Sequence, residues 1–308
     1  MPVLAPADIA EMVRFGLLGW ALSRFSGCWV GLKVLAEQVN ATTRLDLSLA
    51  DFRVALPDEA GLSPDRHIRW PDPWPSVEQR LLGAKLPAAR AFARRNALDR
   101  PLVRAARPRL AVVASGKSQA DVLEALASLG LTAAAAAEAG LSLYKVGMPW
   151  PLDAESLAAF VAGHETCLVV EEKRDIVEAQ LKSALHALPD GRRPRVIGRF
   201  DEAGRPLFPQ VGELSADLVA RALGPRLQAL GLEAGIAARL ALLEERAAAA
   251  EPALLRRGPY FCSGCPHNGS TKVPEGSRAL GGVGCHYMAV DMERETATFT
   301  HMGGEGAT

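Results

Sequence analysis

Net charge is the first thing this sequence lacks: across 308 residues, 35 Lys and Arg are matched by 35 Asp and Glu. Without local clustering there is no field of either sign to gather nucleic acid or an anionic membrane surface, so neither partner is expected. Residues 1–8 contain no basic region, and charged residues interrupt the apolar stretches. Neither a signal peptide nor a membrane-spanning helix is therefore expected, and the default compartment is the cytoplasm. An even set of cysteines is missing as well. Five cysteines without an export signal argue for reduced thiols rather than a disulfide framework. No internal repeat is evident. What is present is a hydrophobic content of 49%, ample for the buried cores of about two domains.

Residues 7–26 place Ile9, Met12, Phe15, Leu18, Trp20, Leu22 and Phe25 around a helix that is apolar on more than one face, the texture of a buried helix, and Gly27 ends it. A second helix is expected over 28–39 and a strand over the alternating stretch 42–54. This opening reads as the last part of a domain that begins earlier. Between 57 and 75, Gly61, Pro64, Pro71, Pro73 and Pro75 exclude regular helix and predict an extended connection, with Arg69, Trp70, Asp72 and Trp74 as its anchors. Helix resumes over 78–95, where Pro87 either bends it or begins its second half.

From 109 to 200 the texture changes to strands at 110–114, 141–146, 167–170 and 196–197, with helices at 119–129, 154–161 and 176–188 between them. That alternation predicts an α/β domain whose mainly parallel sheet is covered on both faces. Two helices should follow, over 215–230 with Ser215 as N-cap and over 234–250. The alanine run at 133–138 reads as helical padding or a linker.

Cys28 and Cys167 stand alone in apolar surroundings and read as buried hydrophobes. Cys262, Cys265 and Cys285 do not. The C-x-x-C spacing of the first two lets both thiolates of one tight turn meet a single metal, and Gly264 and Pro266 suit that turn. Cys285 follows Gly281, Gly282 and Gly284, which would let backbone come close to a cofactor. Zinc and cubane clusters usually take four ligands; three sulfurs are visible here, with His267 and His286 as nearby nitrogen donors. Zinc, a cluster and no metal all remain open on this chemistry. Glu171 and Glu172 end a predicted parallel strand, where ligands bind in open α/β sheets, and Lys173 with Arg174 adds phosphate-compatible charge. Such strand ends are more often a solvated edge. Gly116 and Lys117 lack the full spacing of a phosphate loop and are not read as one.

The segments FCSGCPHN, TKVPEGSRALGGVGCHYMA and FTHMGGEGAT, preceded in order by FGLLGWALSRFSGCWVGLKV, IRWPDP, LYKVGMPWPL and LVVEEKRDIVEAQLK, resemble one family over nearly the whole chain, least in 201–255. That family is the indolepyruvate ferredoxin oxidoreductases of the long, fused bacterial type, within the thiamine-diphosphate-dependent 2-oxoacid:ferredoxin oxidoreductases. The resemblance implies a layout. Residues 1–56 would be the C-terminal part of a pyrimidine-binding-type domain, 57–107 a Pro-rich connection and helix, and 108–200 an α/β domain like the C-terminal domain of transketolase. Residues 201–257 would be a helical linker and 258–308 the start of a thiamine-diphosphate-binding domain.

The resemblance also implies chemistry: oxidative decarboxylation of an aryl 2-oxoacid, indolepyruvate, to an acyl-CoA, with single electrons passed to ferredoxin. Cys262, Cys265 and Cys285 would hold a [4Fe-4S] cluster, and Gly284, His286, Met302, Gly303, Gly304 and Glu305 would line the thiamine diphosphate. Ferredoxin, coenzyme A, the 2-oxoacid and further copies or companion polypeptides would be the partners. The family's G-D-G motif, which holds Mg2+ on the diphosphate, does not occur in the sequence, nor does a ferredoxin-like cysteine run. On this reading the chain is an internal fragment, inactive alone. A reading from another class stays beside it: a non-catalytic α/β interaction module with structural zinc at the same three cysteines.

Overall fold

A computed structural model describes residues 1–45, 52–249 and 258–299, and the chain falls into two compact units, Met1–Ala247 and Ala248–Thr308. In the first, Asp8 starts the long helix α1 (Ile9–Ser26). Its carboxylate accepts the Glu11 amide at 2.8 Å, and Glu11 Oε2 reaches back to the Ala7 amide at 2.9 Å. Amides that the first turn leaves without helical partners are satisfied in this way, and Gly27, left-handed at φ 70°, closes the other end. Phe15, Leu18, Leu22 and Phe25 pack against Ala88, Ala89, Phe92 and Ala93 of α4 (Leu86–Arg95).

Two expectations for this region give way to long-range pairing. Instead of one helix over 28–39, Gly31–Leu32 (β2) pairs in parallel with Val3–Leu4 (β1), and helix is confined to α2 (Ala36–Asn40). The Gly31 and Lys33 amides donate to the Pro2 and Leu4 carbonyls, both at 2.8 Å, so tertiary hydrogen bonds override local helix propensity. No strand forms at 42–45 or 52–54; the middle of that expected strand lies outside the described residues.

The Pro-rich stretch stays irregular up to α3 (Trp74–Arg80), but Trp70 and Trp74 are 92% and 87% exposed and anchor nothing within the unit. Asp72 does anchor it, by pairing with the buried Arg80. α3 passes through a π turn at Leu81–Lys85 into α4, and Pro87, which has no N–H to give, stands in the first turn after that irregularity.

The sheet runs β3-β5-β4-β6-β7. In it β4 (Leu110–Ser115), β5 (Leu141–Val146), β6 (Thr166–Val170) and β7 (Arg195–Ile197) are parallel, and β3 (Arg100–Val103) lies antiparallel on the outer edge of β5. β3 was not foreseen. Pro101 disguises it, since proline is tolerated only where a strand's N–H can face away from the ladder.

Alternate residues divide the core. Leu110, Val112, Leu143, Leu168 and Val170 share one face with α5 (Lys117–Ser128), α6 (Ala133–Glu138) and α9 (Ala216–Ala229). Ala111, Val113, Tyr144, Val146 and Val169 share the other with α7 (Ala154–Val161) and α8 (Ile176–Leu185). A sheet buried on both sides needs apolar side chains in both phases of the two-residue period, hence the near-continuous apolar runs. Cys167 lies in this second layer, where burial pushes its thiol well above the usual range; it and the buried Cys28 are core residues, as expected.

Helix α9, expected as part of a linker, instead completes the first layer through Val219, Leu223 and Leu227, joined by Ile236 and Leu243 of α10 (Glu233–Ala249). Ser215 caps α9 by accepting the Leu218 amide. Because Ser215 is exposed, Ser215→Ala should lower stability through the lost cap alone, by about 1 kcal/mol, while Ser215→Asp should keep parental stability. The midpoint of urea unfolding reads both. Among the described residues no helix is long and apolar enough to cross a membrane.

Candidate metal centre

In the second unit a tight turn presents the C-x-x-C pair. The Cys265 amide donates to the Cys262 carbonyl at 3.0 Å, Gly264 takes φ 74°, and Asn268 Nδ2 donates to the same carbonyl at 3.0 Å. The turn leads into the single helical turn α11 (His267–Ser270). Arg294 secures it from behind, donating to the Asn268 carbonyl at 3.0 Å and to Thr271 Oγ1 at 3.1 Å while its guanidinium lies 5.7 Å from the Phe261 ring centroid.

Cys285 comes from a different segment. β8 (Ala279–Gly281) and β9 (Thr296–Phe299) pair in parallel, and the connection between them contains a short 3-10 helix at Cys285–Asp291. Gly284 precedes it at φ 101° and ψ −150°, a conformation open to glycine and not to residues with a Cβ. The Gly282 amide donates to His286 Nδ1 at 3.0 Å, so a neutral His286 ring carries its proton on Nε2.

A stack of rings joins the two segments. Phe261 and His267 lie 5.2 Å apart at 23°, and His267 and His286 lie 6.1 Å apart at 25°. His267 Nδ1 also sits 3.3 Å from Cys265 Sγ. Cys262 and Cys285 are exposed, Cys265 is half-buried, and none is in a disulfide. The sulfurs are accessible and of the type soft metals take. Among the described residues, however, no group of three or more Cys, His, Asp or Glu is already gathered around a point that could hold a metal. Met302, Gly303, Gly304 and Glu305 lie outside the described residues.

A second set of polar groups meets in the first unit. Ser115 at the end of β4, Gly116 and Ser118 just after it, and Glu171, Glu172 and Arg174 beyond β6 line one cavity together with Lys33. The strand-end charges were legible in sequence. Lys33 was not, because nothing in local spacing connects it with residues so far along the chain.

The segment from the start of β3 to the end of α10 decides the comparison with known families. Residues 100–250 match the indolepyruvate oxidoreductase domain. Subunit IorA of indolepyruvate oxidoreductase from Methanothermobacter marburgensis is 30% identical over 191 residues, covering 62% of this chain and 26% of that protein. The corresponding subunit from Thermococcus kodakarensis is 29% identical over 187 residues, covering 59% of this chain and 26% of that protein. This chain thus spans about a quarter of the length of these relatives. Among solved structures, a 2-oxoglutarate:ferredoxin oxidoreductase from Magnetococcus marinus aligns at a TM-score of 0.40 and 13% identity, over 74% of this chain and 42% of that one.

Proposed function

We propose that this chain forms part of a thiamine-diphosphate-dependent indolepyruvate:ferredoxin oxidoreductase in which Cys262, Cys265 and Cys285 bind a [4Fe-4S] cluster. The observation that carries the reading is the match of residues 100–250 to the indolepyruvate oxidoreductase domain. Supporting it, the ring stack from Phe261 to His286 ties the C-x-x-C turn to the segment that bears the third thiol.

The donor set suits a cluster: three thiols outside any disulfide within one small unit, two of them exposed. Ligands not already gathered are brought together when metal binding is coupled to local folding. Thiamine diphosphate, when bound, supplies the electron sink for loss of carbon dioxide, and the cluster supplies one-electron oxidation. This chain's own contribution is positional. Gly284 permits close approach of backbone, and Gly282 orients His286 so that Nε2–H is free to donate to an anionic group. Met302, Gly303, Gly304 and Glu305 complete the assigned cofactor lining, and no Mg2+ ligand is assigned. The 2-oxoacid, coenzyme A, ferredoxin and companion polypeptides are the partners this reading requires.

The contact between Cys265 Sγ and His267 Nδ1 favours a second reading, in which the site holds structural zinc through three cysteines and a histidine. Anaerobic purification of the chain, with iron, sulfide and zinc analysis and a visible spectrum, separates the two. Iron and sulfide in equal amounts with a broad visible band are expected; zinc without colour would replace the cluster by the structural site. Cys265→Ala should lose most of the bound iron, whereas Cys28→Ala, at a core thiol, should retain it. Equal iron in both variants would remove the assignment.

A further inference from the structure

Four parallel strands meet in the order β5-β4-β6-β7, so the chain passes from β4 toward one edge at β5, crosses back over β4 to β6 and continues to the other edge at β7. The crevice beyond the C-terminal ends of β4 and β6 is therefore the point where strand order reverses, the place where open α/β sheets bind ligands. A cavity of about 110 Å³ lies there. It is several times the roughly 10–15 Å³ that one water requires.

Its walls come from three directions. β4 gives way to Gly116, whose φ of 58° and ψ of −139° turn the chain sharply into α5, so the uncapped start of a twelve-residue helix lines the cavity. The first segment of the chain supplies Val3, Ala5 and Lys33; the stretch after β6 supplies Glu171, Glu172 and Arg174. Several side chains in this wall are chemically unspent, among them a buried hydroxyl and two cations. Ser118 is only 3% exposed, yet its hydroxyl has no hydrogen-bond partner among the described residues. Lys33 and Arg174 likewise form no ion pair among the described residues. Lys117, by contrast, is committed to the Leu214 carbonyl at 2.6 Å, Asp121 at 3.3 Å and Glu37 at 3.4 Å.

We infer that this cavity is a binding site for a small oxyanion, the phosphoryl or carboxylate group of a ligand, held by the start of α5, the Ser118 hydroxyl, Lys33 and Arg174. Free amides and the helix dipole favour negative charge at this end of α5. Two carboxyl groups share the wall and bear on the sign of its field. Glu171 is spent: its oxygens accept the Val177 and Glu178 amides at 2.8 and 2.9 Å, capping α8. Glu172 opposes one of the two free cations; the charge of Glu171 is offset by the start of α8, which leaves the other cation, with the start of α5, to face an anion. Val3, Leu35, Trp150 and Ile176 give the same cavity an apolar side, so the anion would be one end of a larger molecule. This site is independent of the cysteines and of the reading built on them.

Thermal unfolding of the full chain tests the assignment, in sodium phosphate, in sodium acetate and in sodium chloride matched for ionic strength. A saturable rise in Tm above the chloride control is expected. Protection by phosphate alone supports a phosphoryl ligand, by acetate alone a carboxylate, and by both the shared oxyanion site. Lys33→Ala with Arg174→Ala alters two exposed side chains and should leave the unliganded Tm in place while weakening anion binding at least about tenfold, as loss of charge-assisted hydrogen bonds requires. Ser118→Ala, which removes no internal hydrogen bond, should weaken binding without lowering Tm. No rise over chloride, or the same rise in the double variant, overturns the site.

Discussion

Glu11→Ala should destabilise the first unit by about 3–5 kcal/mol, the loss expected when one partner of a buried ion pair is removed and the other remains. Lys145, near the end of β5, has no solvent exposure, and its ammonium pairs with Glu11. Arg100 lies 3.5 Å from the same carboxylate. Burial alone would raise the Glu11 carboxyl; the hydrogen bond from Lys145, that from the Ala7 amide, and the charges of Lys145 and Arg100 outweigh it and hold the group below its ordinary range. Without Glu11, a sealed ammonium faces Arg100 with nothing to balance either. Lys145→Met should be milder, because Glu11 keeps Arg100 and the Ala7 amide. The pair Glu11→Gln with Lys145→Met should recover most of the loss, since no uncompensated charge is left. Urea unfolding at constant m-value reads all three. A Glu11→Ala loss below about 1 kcal/mol would show that water reaches Lys145 and that the pair is a surface one in effect.

This pair also ties α1 to the sheet, and the backbone does so again beside it: the Ala5 amide donates to Gly147 O at 2.8 Å and the Val3 amide to Trp150 O at 2.7 Å. The first segment of the chain is thereby laid across the strand ends, where it closes the oxyanion cavity. Packing and site are thus one problem here, and a variant that loosens α1 should blunt anion protection too.

What could be read from the residues follows from how local each signal is. The doubly buried strands announced themselves because a sheet covered on both faces leaves no polar phase, and 141–146 was placed to the residue. The same holds for 154–161, where Asp153 accepts the Ser156 amide ahead of an apolar stripe. β2 was misread because two residues of parallel pairing are dictated by Val3 and Leu4, far outside any local window. β3 was hidden by Pro101. The cysteine spacing pointed to the C-x-x-C turn, but no sequence rule announced that His267 would stack between Phe261 and His286 and so bridge to Cys285. Lys33 in the cavity wall is the same kind of miss: its chemistry was visible and its neighbours were not.

Asp99→Asn should stabilise the protein, and only above the acid range. Asp99 Oδ1 accepts the Gly147 and Met148 amides at 2.7 and 2.9 Å, while Oδ2 is sealed from solvent with no hydrogen-bond partner among the described residues. Burial raises this carboxyl to about 6, against the two amides that favour its charged form, and the charge of Asp153 adds to the rise. In the unfolded chain the group titrates near ~3.9, so between the two values the folded protein holds a proton that the unfolded chain has released. Stability from this group is therefore greatest below the unfolded value and is lost as pH climbs through about 6. Asparagine keeps the acceptor for both amides and carries no charge to bury. The variant should match the parent near pH 4 and exceed it by about 2–3 kcal/mol at pH 8, a gap of roughly two pKa units expressed as energy. Glu171, pushed up to about 7 mainly by burial, loses stability in the same direction in both proteins, so the difference between them isolates Asp99. A difference that stays flat from pH 4 to pH 8 would mean that Asp99 is ionised throughout, with solvent or a cation reaching Oδ2.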